Sequence, residues 1–236
     1  MLETEEGYMR LEYFTENVAA DTRRKEFDIK NHSLIYKGLK PDFLFIGDSI
    51  THYWELEAYF CGNGKLLVNR GIGGDTTTYL EKRFFVDALQ LRPKYCILGI
   101  GINDSIELEG DYWKRLAPAP YDMVLERARM NISKVIQQAE NSETVLILTS
   151  LLPVSIPVSL NEASRKRYIC DMNGWLRKEA EKRGLLYVDY YHRMTVSGSD
   201  ELTDGITYDG LHPNALGYEI MTGVIKDTFK RNNIII

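Results

Sequence analysis

A doubly wound α/β/α sandwich around a parallel sheet of five strands is the fold this sequence predicts. Three features carry the prediction. Five apolar segments of strand length alternate with stretches of helical periodicity. The strand candidates are near-continuous apolar runs, as strands covered on both faces are. The connections between them are short, so each crosses over with a right hand and helices cover both faces of the sheet.

Residues 1–40 precede the alternation and are expected to form an N-terminal helical extension to a domain at 41–236. Tyr8, Leu11, Phe14 and Val18 fall at helical spacing and predict an amphipathic helix over residues 8–20. The charge-dense stretch from Asp21 to Lys30 reads as a solvated helix or loop. The extension is expected to pack on the domain, with a homodimer contact as the alternative.

Strand one is Asp42–Ile46, and residues 50–60 follow as a helix. Strand two is Lys65–Asn69. The helix from Thr76 to Leu89 has a capping box in Thr78 and Glu81, with Asp75 as the rival cap. Strand three is Lys94–Ile100, followed by a helix at Met123–Glu140 with Val124, Ala128, Ile132, Val135 and Ile136 on one side. Strand four is Glu143–Ser150. Ser159 and Glu162 form a second capping box that opens a helix to Arg183, stopped by Gly184. Strand five is Leu185–Asp189, and Pro213 suits the first turn of a last helix ending near Lys230.

Composition excludes several functions. A net charge of −5 over 236 residues argues against nucleic acid, because phosphate binding needs a basic face. The N-terminus lacks the basic start and apolar run of a secretory signal, and no stretch is apolar for long enough to span a bilayer. Cys61, Cys96 and Cys170 are sparse, odd in number and without a C-x-x-C pair, so neither a disulfide framework nor a thiolate zinc site is expected. These features predict a cytoplasmic protein with reduced thiols. His32, His52, His192 and His212 show no metal-ligand spacing.

In such a fold, ligands bind at the carboxyl ends of the strands. The segments there are Gly47-Asp48-Ser49, Arg70 to Asp75, and Gly101-Ile102-Asn103-Asp104, with Asp209-Gly210-Leu211-His212 just before the last helix. Ser49 follows a glycine turn and opens a helix, where backbone N–H groups and the helix dipole favour the negative charge an attacked ester carbonyl develops. The plain alternative is an N-cap serine. His212 has the chemistry of a general base near neutral pH, and Asp209, three residues upstream, is placed to fix its tautomer. Its plain alternative is a histidine bonded to the backbone at a helix start. Gly74 can offer an exposed N–H and Asn103 a side-chain NH₂, and with the Ser49 N–H these make an oxyanion hole. The alternatives are a plain turn or phosphate cradle for the glycines and a left-handed turn residue for Asn103.

At these stretches the sequence resembles the SGNH (GDSL) hydrolase family of serine esterases. Gly47-Asp48-Ser49 matches its first block, Gly73-Gly74-Asp75 its second, Gly101-Ile102-Asn103-Asp104 the G-x-N-D block, and Asp209-Gly210-Leu211-His212 the D-x-x-H block. The run Gly71–Thr77 looks most like the branch of platelet-activating-factor acetylhydrolase-type enzymes and bacterial carbohydrate acetylesterases. The resemblance implies a flavodoxin-like sandwich, no metal and no organic cofactor. It implies acyl-enzyme chemistry with Ser49 as nucleophile, His212 as base, Asp209 as its orienter, and Ser49, Gly74 and Asn103 around the oxyanion. No G-x-S-x-G elbow occurs, which argues against the α/β-hydrolase fold.

The expected substrate is a small acylated molecule. Asp48 and Asp104, and Tyr112 and Trp113 in the loop over residues 105–121, are candidate substrate contacts; the aromatic pair suits a sugar ring. The apolar segment Leu151–Leu160 is placed to border the acyl group. No long apolar lid is present, so a short acyl group such as acetyl is expected. The rivals are a lysophospholipase or thioesterase of the same family, a nucleotide-binding protein, a catalytically inactive binding module and a metal hydrolase. The glycine run reads G-x-G-G after the second strand, not G-x-G-x-x-G after the first, which weighs against a nucleotide.

Overall fold

A computed structural model describes residues 2–3, 7–14, 18–62, 64–110 and 116–236. The chain divides into two compact units, Met1–Ile100 with Asn131–Ile147, and Gly101–Met130 with Leu148–Ile236. Among the described residues, the strands of the main sheet are β3 (Phe43–Gly47), β4 (Leu67–Gly71), β5 (Tyr95–Gly99), β6 (Val145–Thr149) and β7 (Leu186–Val188), in the order β4-β3-β5-β6-β7. This is the five-stranded parallel sheet with flanking helices that the alternation predicts.

In the first unit, β3 is the buried spine, with every residue from Phe43 to Gly47 buried. It pairs in parallel with β4 from Phe43↔Leu67 to Gly47↔Gly71, and with β5 from Phe43↔Tyr95 to Gly47↔Gly99. The three strands therefore end in register on glycines. Gly47 leads into Asp48-Ser49 and Gly71 into the Gly73-Gly74 segment, so both leave one edge of the sheet side by side. Helices α1 (Arg24–Tyr36), α2 (Ser49–His52), α3 (Leu56–Phe60) and α4 (Thr77–Asp87) belong to this unit.

The second unit holds a 3₁₀ helix at Asn103–Leu108, α6 (Glu162–Arg183), α7 (Tyr191–Met194) and α8 (Ala215–Arg231). Helix α5 (Tyr121–Glu140) runs through both units. The Ser150 N–H donates to the Val188 carbonyl at 2.9 Å, and the Ser150 hydroxyl accepts the Tyr191 N–H at 2.9 Å, which ties the end of β6 to the turn after β7.

Among the described residues of the stretch 8–20, the expected α-helix is absent. Met9–Arg10 (β2) pairs antiparallel with Leu2–Glu3 (β1), and the Gln90 side chain bonds both the N–H and the carbonyl of Met9, at 3.0 and 2.9 Å. The helix lies instead at Arg24–Tyr36, in and beyond the stretch read as solvated, and it buries Arg24, Phe27, Asp28 and Asn31. Charge density misled here because the charges are paired inside. Arg24 meets Asp87, and Arg83 meets Asp75 at 2.8 Å and Asp87 at 3.0 Å, all four being buried.

Other element ends also differ. The helix expected over 50–60 is broken at Tyr53–Glu55 into α2 and α3. Thr78 does not cap α4; Thr76 occupies that position, its N–H held by Asp75 Oδ1 at 2.9 Å. Ser159 does not cap α6 either, since Asn161 does. The Ser159 hydroxyl donates to Glu109 at 2.6 Å, and Glu162 accepts the Ile156 N–H at 2.9 Å. The Ser159 and Glu162 side chains thus serve other partners, and Thr78 accepts from the Asn131 amide at 3.1 Å. Pro213 lies before the last helix, whose N-cap is Asn214, accepting from Leu216 and Gly217.

Candidate active site

Ser49 is the first residue of α2 and is buried. The cap that a serine most often supplies at a helix start comes instead from its neighbour: Asp48 Oδ1 accepts the Ile50 N–H at 3.0 Å. Capping is therefore not what Ser49 is there for. Helix α2 has four residues, too short for a macrodipole of any weight. The dipole inferred from the sequence therefore carries little weight beside Ser49.

The loop after β4 is built around a turn. The Asp75 N–H donates to the Ile72 carbonyl at 3.2 Å, closing Ile72-Gly73-Gly74-Asp75. Gly74 has φ +77°, the left-handed value that the third residue of a type II turn requires and that glycine adopts without strain. The Ile72 N–H donates to the Gly47 carbonyl at 3.0 Å, which ties the loop to the residue before Asp48-Ser49. Arg23 donates to the Gly71 carbonyl at 2.8 Å. The buried Arg83 donates to the carbonyls of Gly47 and Arg70, both at 3.0 Å, while its Nε holds Asp75. One guanidinium thus pins the end of β3, the end of β4 and the residue that closes the turn.

In the second unit, Asp209 and His212 are joined. Asp209 Oδ2 lies 2.7 Å from His212 Nδ1, and Oδ1 accepts the N–H groups of Leu211 at 3.0 Å and His212 at 2.8 Å. Burial works to raise the Asp209 pKa, but the His212 N–H and imidazole, with the Leu211 N–H, outweigh it and hold the carboxyl below its ordinary value. An ionised carboxylate only accepts, so it takes the Nδ1 proton, and in the neutral ring Nε2 is the acceptor nitrogen.

The turn that presents this pair is tight. Tyr208 N–H donates to the His212 carbonyl at 2.9 Å, and Thr207 bridges Pro213. Gly210, at φ +83°, approaches Ser155 so closely that a Cβ would lie 1.7 Å from its carbonyl oxygen. The Ser155 N–H in turn donates to the Gly210 carbonyl at 2.8 Å. Glycine at this position is a steric requirement that the D-x-x-H pattern does not display.

Asn103 opens the 3₁₀ helix after β5 and is buried. It is absent from the positive-φ residues, so the left-handed turn reading does not apply. Asp48 and Asp104 are buried too, at 2% and 1% exposure, and Asp48 has the capping role described above. Tyr112 and Trp113 lie outside the described residues.

The sequence pattern of the GDSL-like lipase/acylhydrolase family matches residues 45–220, a span that starts in β3 and contains all four motif blocks. The chain belongs to the GDSL-like lipase/acylhydrolase family. It is accordingly an ester hydrolase. Solved members resemble it over nearly their whole length. A provisionally assigned acylhydrolase from Bacteroides fragilis is 29% identical, with TM-score 0.73, covering 92% of this chain and 99% of that one. A GDSL-like lipase from Bacteroides thetaiotaomicron is 26% identical, with TM-score 0.72, covering 91% and 100%. A protein provisionally assigned as a platelet activating factor from Streptococcus pneumonia is 27% identical, with TM-score 0.70, covering 90% and 94%. Among curated proteins, an N-acylneuraminate cytidylyltransferase of Escherichia coli is 24% identical over 190 residues, which is 80% of this chain and 40% of that protein.

The acylhydrolase carries a second pair with the same spacing. Asp189 and His192 repeat the D-x-x-H geometry, with Nδ1···Oδ2 at 2.8 Å and the His192 N–H on Oδ1 at 3.2 Å. The pairs differ in setting. The His192 side chain is 70% exposed against 27% for His212, and Asp189 is shared with Arg177. Sequence reasoning passed over this pair, and it also passed over Arg23 and Arg83 as supports of the glycine loop. A trace existed for Arg83, whose spacing to Asp87 is a helical i,i+4 ion pair. Among the described residues, no group of three or more His, Cys, Asp or Glu side chains is gathered as a metal ion would need, and no helix is long and apolar enough to cross a membrane.

Proposed function

We propose that this acylhydrolase cleaves short-chain acyl esters, acetyl esters above all, through an acyl-enzyme on Ser49, with His212 as general base and Asp209 as its orienting carboxylate. Ser49 Oγ attacks the ester carbonyl carbon as His212 Nε2 takes the hydroxyl proton. The same proton passes to the departing alcohol. Water, deprotonated by His212, then attacks the acyl-enzyme and releases the acid and Ser49. The N–H groups of Ser49 and Gly74 and the amide of Asn103 hold the oxyanion.

The observation that carries this reading is the Asp209–His212 pair. A carboxylate kept ionised and bonded to Nδ1 orients the ring and favours the tautomer in which Nε2 can take a proton. The release of Ser49 from capping by Asp48 supports the nucleophile. The preference for a short acyl group rests on the absence of a long apolar lid in the sequence. An acylated sugar is the favoured acceptor, in keeping with the N-acylneuraminate in the name of the Escherichia coli relative, of whose length this chain spans 40%. A lysophospholipase role would need a longer acyl site.

Hydrolysis of p-nitrophenyl acetate, butyrate and octanoate by wild type and Ser49→Ala tests both parts. Turnover that needs Ser49 and is fastest on acetate is expected. Faster cleavage of octanoate would replace the short-acyl reading by the lipase one, and turnover without Ser49 would end the triad reading.

A further inference from the structure

We propose that His52 is a positioning residue of the oxyanion hole: by accepting the Gly73 N–H on Nδ1, it sets the turn that offers the Gly74 N–H to the substrate carbonyl oxygen. The inference rests on the esterase reading above and adds a residue to it.

The N–H groups of the turn divide cleanly. That of Gly73 goes to His52 Nδ1 at 3.2 Å and that of Asp75 to the Ile72 carbonyl at 3.2 Å. The Gly74 N–H lies between them, on the central peptide of the turn, and takes no part in closing it. Type I and type II turns differ by a flip of that central peptide. Most sequences resist the flip through their side chains. Gly73-Gly74 has none, so both orientations are open to it at little cost. His52 fixes the peptide that precedes the central one: the Gly73 N–H belongs to the Ile72–Gly73 peptide, and its bond to Nδ1 sets the plane from which the central peptide leaves.

His52 is itself well held. Its backbone N–H donates to the Asp48 carbonyl at 2.9 Å, in the same turn of helix as Ser49. Its ring stacks on Tyr53 with centroids 4.9 Å apart and planes at 24°. The acceptor nitrogen must be unprotonated to do this. Burial and the charge of Arg23, the residue before α1, hold the His52 pKa below its ordinary value, with Glu26 of α1 pulling the other way. Distance makes the coupling direct: a Cβ on Gly73 would lie 3.6 Å from His52 Nδ1 and 3.9 Å from Ser49 Cβ. A shift of the Gly73 peptide therefore moves backbone that lies close to the nucleophile. Arg23 on the Gly71 carbonyl and Arg83 on Asp75 hold the two ends of the segment, and His52 holds its middle.

The test compares wild type, Ser49→Ala, His52→Asn and His52→Gln on p-nitrophenyl acetate, below the lowest melting temperature among them. Asn places its oxygen where Nδ1 stands, whereas Gln places it one bond further out. His52→Gln is expected to lower kcat roughly 10- to 100-fold, less than the roughly 10²–10³ of deleting a donor, with KM within about threefold. His52→Asn is expected to recover most of that loss. The inference is overturned if His52→Gln keeps kcat within about twofold, if His52→Asn loses as much as His52→Gln, or if KM rises at constant kcat, which would mark a substrate contact. Turnover by Ser49→Ala would instead overturn the esterase reading beneath it.

Discussion

Arg83 and Asp75 form an ion pair at 2.8 Å in which neither side chain is exposed to solvent. The same guanidinium bonds Asp87 and the carbonyls of Gly47 and Arg70. Asp75 closes the Gly73-Gly74 turn and Gly47 precedes Asp48-Ser49, so the pair sets the backbone of both segments. Truncating Arg83 to Met leaves Asp75 without its cation and strips Asp87 of one of two. The expected loss is roughly 3–5 kcal/mol of folding stability, the usual cost of removing one partner of a buried pair. Arg83→Lys should recover only part of it, because one ammonium cannot span four acceptors. Urea unfolding of the three proteins measures this.

The duplicated D-x-x-H geometry gives a sharper test of assignment than either pair alone. His212→Ala is expected to remove nearly all ester turnover, roughly 10³-fold or more. His192→Ala should leave kcat within about twofold, because Asp189 is committed to Arg177 and the ring points into solvent. Steady-state kinetics on p-nitrophenyl acetate distinguishes the two, and the reverse result would exchange their roles.

Gly210→Ala should disable the enzyme without touching a reacting atom. A methyl there meets the Ser155 carbonyl at 1.7 Å, and the φ of +83° adds strain of about 1–2 kcal/mol. The Asp209–His212 turn must shift to relieve both. A kcat loss well beyond tenfold is expected, with a lowered melting temperature.

The depressed pKa of His52 has a consequence for stability. Burial and Arg23 disfavour the imidazolium in the folded chain, whereas the unfolded chain binds its proton near the ordinary value of 6.5. Below that value the unfolded state holds more protons, so stability falls as pH drops; above it the contribution is complete. Tyr53 stacks on the ring, and Arg23 and Glu26 act on it through their charges; Glu26, bonded to Arg23 and Lys30, has its pKa held down to about 2 and stays ionised over this range. The melting temperature of wild type should therefore fall more steeply than that of His52→Asn between pH 6.5 and 5. Parallel curves would contradict this.

The sheet was legible in the sequence because strands such as Phe43–Gly47 are buried throughout and read as unbroken apolar runs. The Asp209–His212 pair was legible because its chemistry is local, within three residues. The Arg83 support was not, since its partners come from β3, β4 and the turn, and a charged helix face looks solvated until its neighbours are known. The same effect moved the first helix: Arg24 and Asp28 looked like surface and lie inside. Helix starts at Thr78 and Ser159 were misread because a serine or threonine followed by glutamate matches a capping box whether or not its side chains are needed elsewhere.

The central claim is that Ser49 carries the acyl group. Mass mapping after reaction with a p-nitrophenyl alkylphosphonate tests it most directly. The account predicts one adduct, on the peptide containing Ser49, formed in step with loss of esterase activity and absent from Ser49→Ala. Inactivation with the adduct on another residue, or full activity with Ser49 modified, would contradict it.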